Sequence, residues 1–258
     1  MKFLLPLLFA LPLFAAEPNT LTPEEKAAGW KLLFNGKDLE GWRIYGSDKA
    51  PLPGWRVVDG KLVKIDKIPG GNIITTEKFK DYELSWEWNI AAKGNNGIKY
   101  LVSEERKGAP GPEYQMLDDK GHPDSKNGPK RQNAALYDIL PPAADKPNRP
   151  PGEWNHSRII VKGNEVEHWL NGTKVVAYTL GSPELLKAIS EGKFKSAKGF
   201  GEKIEGHIML TDHVDRCEFR NIKINPLSSA HRSDSMALPG ASRRKQIPSN
   251  QPTKGDTK

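Results

Sequence analysis

The sequence predicts an all-β protein: two packed antiparallel sheets with few, short helices. Three observations carry that expectation. In "DYELSWEWNI", Tyr82, Leu84, Trp86, Trp88 and Ile90 alternate with Glu83, Ser85, Glu87 and Asn89, the two-residue period of a half-buried strand. The dipeptides Asp59-Gly60 and Asn171-Gly172 separate runs of this kind, as two-residue hairpin turns do. Helical periodicity is scarce. Strands with one apolar face each bury it by packing sheet on sheet.

The elements follow in chain order. "MKFLLPLLFALPLFAAEP" has one Lys, an apolar run and small residues at Ala15 and Ala16. It reads as a secretory signal over 1–16, too short for a membrane span with ordinary flanks. Export to the periplasm or beyond is therefore expected. "TPEEKAAGW" opens with a Thr cap and two acids, and "SPELLKAIS" is a second short helix candidate. "GWRVVDGKLVKI" gives two strands. "SRIIVKGNEVEHWLNGTKVVAYTL" gives three, and "GHIMLTDH" and "CEFRNIKI" close the body, which runs over 21–225. Loops are expected at Glu104–Pro112, Asp119–Asn133 and Pro141–Gly152, and loops of that length are commonly functional. From 226 to 258 the chain is rich in Ser, Pro, Lys and Arg. It has too little apolar surface to offset its ordering entropy, so it is expected to be a disordered basic tail.

The formal charge of +7 does not mark a nucleic-acid partner. Six Lys/Arg and two Asp fall after Leu227, a balance of +4, and Lys2 adds one; the body is left with +2. Apart from the leader there is no apolar run of spanning length, so no membrane span is expected. Cys217 is the only cysteine, which excludes an internal disulfide and places stability in a core. In its strand context Cys217 reads as a packed thiol rather than a nucleophile. Seven Trp residues lean towards carbohydrate, although the pairs Trp86/Trp88 and Trp154/Trp169 read more simply as core.

"GPEYQMLDD" poses the functional question. As a strand it sets Glu113, Gln115 and Leu117 on one face and Tyr114 and Met116 on the other. Polar residues on an outer sheet face can line a groove. Lys99 in "NNGIKYLV", Tyr137 in "AALYDI", His168 in "EVEHWLNG", and Asp212 and His213 in "LTDHVD" could join them in a donor- and acceptor-rich surface suited to a polyol. Each alone is equally well explained as a solvated or core side chain; their convergence carries the reading. Ordinary glycoside hydrolysis needs two carboxyls roughly 5–10 Å apart, and the one-strand pattern of spaced acids is missing, since Gln115 follows Glu113. Nothing resembles a Gly-rich nucleotide loop, so no nucleotide cofactor is expected. "LDDKGHPDSKNG" combines Asp118, Asp119, His122 and Asp124. It could hold one divalent cation through oxygen and imidazole, with His122 and Asp124 as ligands.

The succession "GWKLLFNGKDLEGWRI", "NNGIKYLV", "GPEYQMLDD", "AALYDILPP", "KPNRPPGEWNHSRIIVKGNEVEHWLNGTKV" and "GHIMLTDHVDRCEFRNIKI" resembles the 3-keto-disaccharide hydrolase family, long catalogued as domain of unknown function 1080. The resemblance spans Gly29 to Asn225. It implies a concanavalin A-like jelly-roll sandwich, an exported protein and cleavage of glycosides already oxidised at C3. An upstream sugar 3-oxidoreductase would make such substrates. A C3 ketone acidifies the C2 hydrogen; a base removes it, the C1 aglycone leaves, and water adds, or the reaction stops as a lyase. Under this resemblance His168 or Glu113 would be the base, and Lys99 or a bound cation would meet the oxyanion. Tyr137, Gln115, Asp212 and His213 would orient the sugar. One departure is "LTDHV", where Thr211 and Val214 replace the Gln and Gly of the usual "LQDHG". Two alternatives stand beside the enzyme: a non-catalytic carbohydrate-binding sandwich and a conventional glycosidase.

Overall fold

Two antiparallel sheets face each other in the computed structural model, which describes residues 17–227 apart from Lys107. The expected signal and basic tail lie outside the described residues. The strands are β1 (Lys31–Leu32), β2 (Trp42–Ile44), β3 (Trp55–Val58), β4 (Lys61–Lys64), β5 (Ile73–Thr75), β6 (Tyr82–Ile90), β7 (Asn95–Val102) and β8 (Glu113–Leu117). They continue with β9 (Asn155–Lys162), β10 (Glu165–Leu170), β11 (Thr173–Thr179), β12 (His207–Leu210) and β13 (Cys217–Pro226). The larger sheet has the order β11-β10-β9-β6-β13-β4-β3, with β1 added on β13; the smaller has β2-β5-β12-β7-β8. Two short helices accompany them, α1 (Pro23–Ala27) and α2 (Pro183–Ser190). The expected jelly-roll sandwich is what the chain forms. No helix among the described residues is long and apolar enough to cross a membrane.

Local chemistry explains the elements. Thr22 caps α1 in a full capping box with Glu25, and Ser182 caps α2 by accepting from the Leu185 amide, which satisfies amides that a helix start leaves unpaired. Both Asp59 (φ 49°) and Gly60 (φ 71°) are left-handed, as are Asn171 (φ 46°) and Gly172 (φ 85°), the geometry that two-residue hairpins require.

The core lies between the sheets. Tyr82, Leu84, Trp86 and Trp88 of β6 are essentially inaccessible and meet Tyr114 and Met116 from β8. The Trp86 and Tyr114 rings pack edge to face at 5.0 Å, and the Trp88 indole donates to Ser157 Oγ at 2.9 Å. Each such ring contributes about 1.5–3 kcal/mol through burial alone. Trp154 and Trp169 are corrections to the core reading: both are half-buried on the outside of the larger sheet. Arg220 covers Trp154 at 4.1 Å and Arg158 covers Trp169 at 5.2 Å, contacts that combine apolar area with cation–π attraction. Cys217 is buried in β13 between β4 and β6, and burial pushes its thiol pKa up.

Candidate active site

β7 and β8 build the site on the outer face of the smaller sheet. Their register sets Lys99 opposite Glu113 and Gly97 opposite Gln115. Tyr114 and Met116 point into the core, so pleat alternation sends Glu113 and Gln115 outward. A left-handed residue, Leu101 (φ 50°), then breaks the alternation in β7. Leu101 joins the main core while Val102 joins Ile74 and Met209 in a small outer cluster. That outer face is covered rather than open: Glu113 is 5% exposed and Gln115 1%.

At the centre the Lys99 ammonium lies 3.0 Å from the Glu113 carboxylate, and His213 Nε2 lies 4.0 Å from its other oxygen. Burial by itself raises the pKa of Glu113. Lys99 and His213 outweigh it and hold the group down to about 2, so the carboxylate is charged at neutral pH. A Cβ at position 97 would collide with the Glu113 carboxylate. Gly97 is therefore the gap into which Glu113 folds, and its carbonyl accepts from the Thr211 amide and hydroxyl. The carboxamide oxygen of Gln115, beside Gly97, is buried with no hydrogen-bond partner among the described residues. Such an acceptor is costly unless a donor arrives.

Tyr137 forms a second wall. "AALYDI" is not a strand but a turn that bridges to β8 through Leu136; left-handed Ala134 and Asp138 bend it. The Tyr137 amide donates to the Glu113 carbonyl at 3.0 Å, and its hydroxyl donates to Asp124 Oδ2 at 2.8 Å. Arg131 links Asp124 (2.9 Å) to Asp138 (2.7 Å). The Lys193 ammonium stacks 3.9 Å from the centre of the Tyr137 ring. No sequence signal marks Lys193: "EGKFKSAKGF" reads as a solvated lysine-rich run.

His168 is a correction. It is 0% exposed on β10 of the other sheet, on the inward parity of Val166 and Leu170, which the strand's own alternation could have revealed. Its Nδ1 donates to the Ala134 carbonyl at 3.0 Å, so Nε2 accepts from the Tyr100 hydroxyl at 2.7 Å. Burial lowers its pKa to about 4. It is a neutral brace between the sheets and touches no open surface, which removes it as the base. Asp212 is a second correction. One oxygen accepts from the Gly70 and Gly71 amides at 2.6 and 2.8 Å. The other pairs with the buried Lys64 ammonium at 3.0 Å and accepts from the Val214 amide at 2.8 Å. With its acceptor positions filled it has none to spare for a sugar; it holds the loop that carries His213.

His122 and Asp124 do not fit a cation site. His122 Nδ1 accepts from the Asp124 amide at 3.1 Å, capping a 3-10 turn over Pro123–Asn127, and the Asp124 carboxylate is taken by Arg131 and Tyr137. Among the described residues no group of three or more His, Cys, Asp or Glu side chains converges. A cavity of about 330 Å³ opens past the end of β8, lined by Leu117, Asp119, Lys146 and Arg149 among others. Glu113 is not in its wall, so side-chain chemistry rather than cavity size marks the site.

The family of 3-keto-alpha-glucoside-1,2-lyase-like domains matches residues 29–225. The chain belongs to this family. A 3-keto-disaccharide hydrolase of Bacteroides thetaiotaomicron is 35% identical over 250 residues, covering 85% of this chain and 86% of that protein. A crystal structure from Parabacteroides distasonis, of a protein provisionally named a glycosyl hydrolase, superposes with a TM-score of 0.74 at 36% identity. The match covers 82% of this chain and 100% of that one. A second structure from the same organism, also provisionally named a glycosyl hydrolase, gives 0.59 at 26% identity, covering 77% and 99%.

Proposed function

We propose that this chain is a glycoside-cleaving hydrolase acting on sugars already oxidised to a ketone at C3. The observation that carries the reading is the buried, ionised Glu113 held 3.0 Å from Lys99. A conventional glycosidase keeps one carboxyl protonated at neutral pH by raising its pKa. Here Glu113 and Asp124, which are linked through Tyr137, are both pushed below the ordinary carboxylate range. For Asp124, burial works the other way and is outweighed by Arg131, Tyr137 and Asn127. A base beside a fixed cation is instead what removal of a proton next to a ketone needs. The name of the Bacteroides relative supports the same substrate class.

In the proposed reaction Glu113 takes the C2 proton and the C–H electrons move onto the C3 oxygen as an enolate. Lys99 stabilises that oxygen. A carboxylate of low pKa is a weak base, but its low pKa comes from Lys99 and His213. As the ammonium turns towards the new oxyanion, its hold on Glu113 relaxes while the proton arrives. The enolate then reforms the ketone, expels the C1 aglycone and leaves a C1–C2 double bond. Water adds across it to complete hydrolysis. The unpaired Gln115 oxygen accepts from a sugar hydroxyl, and His213 and Tyr137 orient the ring. No step runs through a metal. An exported setting and an upstream sugar 3-oxidoreductase complete the proposal, resting on the apolar leader and on the need for a ketone.

Release of aglycone from a 3-keto-glucoside and not from the parent glucoside is the expected result, with Glu113→Gln slower by about 10²-fold or more. Release from both substrates makes the protein a conventional glycosidase. Binding without release makes it a carbohydrate-binding sandwich.

A further inference from the structure

The elimination leaves one demand unmet by Glu113 and Lys99: the departing aglycone oxygen carries away an electron pair and needs a proton. Glu113 is collecting a proton at that stage, and Lys99 is held at the enolate. Another donor has to come from a separate element.

The segment after α2 supplies one. Asp138 Oδ2 accepts from the Lys193 amide at 2.9 Å, while Asp138 Oδ1 accepts from Arg131 Nε at 2.7 Å. The preceding Gly192 packs so closely that a Cβ there would lie 3.0 Å from the Asp138 carbonyl. The backbone at 192–193 is thus pinned to the turn that carries Tyr137. From this anchor the Lys193 ammonium rests 3.9 Å from the Tyr137 ring centre and 4.9 Å from that of Phe194. Tyr137 is itself bonded through its amide to the Glu113 carbonyl. The residue is exposed as a whole, so it reaches the site from the solvent side, opposite the sheet floor that supplies Lys99. Lost hydration lowers its pKa from the ordinary lysine value, partly offset by Glu113. That brings a lysine closer to the range where it both gives and takes a proton.

We propose that Lys193 is the proton donor to the leaving aglycone oxygen, a catalytic role that rests on the 3-keto reading above. As the C1–O bond breaks, its electron pair stays on the aglycone oxygen, which takes a proton from Nζ. The aglycone departs as an alcohol and Lys193 becomes a neutral amine. In hydration the same amine takes a proton from the attacking water, whose oxygen bonds to C1. Glu113 returns its proton to C2, and both residues end as they began.

The test uses the full protein and two 3-keto-glucosides, one with a nitrophenyl aglycone and one with a methyl aglycone. The first leaves without help; the second needs an acid. Lys193→Met is expected to lose about 10²-fold or more in kcat/KM on the methyl substrate and less than about threefold on the nitrophenyl one. Lys193→Arg keeps the charge but not a transferable proton, and is expected to show the same split. Equal losses on both aglycones, no loss on either, or wild-type rates in Lys193→Arg would overturn the role. A wild-type protein that cleaves neither 3-keto substrate takes down the parent reading instead, and this proposal with it.

Discussion

Glu113 and Lys99 face each other across two strands, and each is held in place by what the other lacks. The carboxylate is buried deeply enough that it stays charged only because the ammonium, with His213, outweighs burial. In the wild type its folded pKa lies below the unfolded value. The pair therefore contributes stability at neutral pH that is lost as pH falls from about 4.5 towards 2. Lys99→Met reverses the sign: with only His213 left beside it, the buried carboxyl favours its protonated form, so the folded state weakens as pH rises. A loss of about 3 kcal/mol is expected at pH 7, shrinking towards pH 4, as read from urea midpoints at the two pH values. The opposition of Glu113 and Gln115 to the core face of β8 was legible from alternation alone. So is the inward position of His168, which shares the parity of Val166 and Leu170. Lys193 was not legible, because what places it is a carboxylate 55 residues away in sequence.

At the scale of elements, the hairpins, the longer strands and both capped helices follow from local sequence, because alternation, left-handed dipeptides and caps are short-range signals; the short β1, β2 and β5 carry no such signal. The apolar run "AALYDI" is as long as a strand, but left-handed Ala134 and Asp138 fold it into a turn. Asp212-His213 also reads from sequence as a turn clasp, but the clasp's partners are long-range. It ties the 210–214 loop to the Gly70–Gly71 turn and to Lys64 at the end of β4. Asp212→Asn leaves a buried ammonium with neutral carbonyls, those of Ile65 and Ile68 among them, and no carboxylate to balance its charge. A loss of about 3 kcal/mol is expected, measured as a lowered urea midpoint, with turnover falling too because His213 rides on the freed loop.

For the molecule as a whole, His168 couples the two sheets: its ring spans from β10 to the Ala134 carbonyl and Tyr100 of the opposing layer. An unfolded His takes its proton near pH 6.5, the folded one only at about 4. Between those values the unfolded state binds more protons, so stability rises with pH through this window and is full above it. The half-buried His156 adds to the same slope, its pKa lowered by burial. His168→Gln keeps polar contacts but cannot titrate. Stability measured by urea melts from pH 4 to 7 should lose the His168 share of its rise in this variant, about 3 kcal/mol across the window.

The single sulfur in β13 has a use that no catalytic argument touches. Strands on both flanks seal it, and the sequence holds no second cysteine to trap it in a crosslink. A reagent can reach it only when the middle of the larger sheet parts. The chain thus carries a built-in stopwatch for its own opening, read by how long native protein resists alkylation.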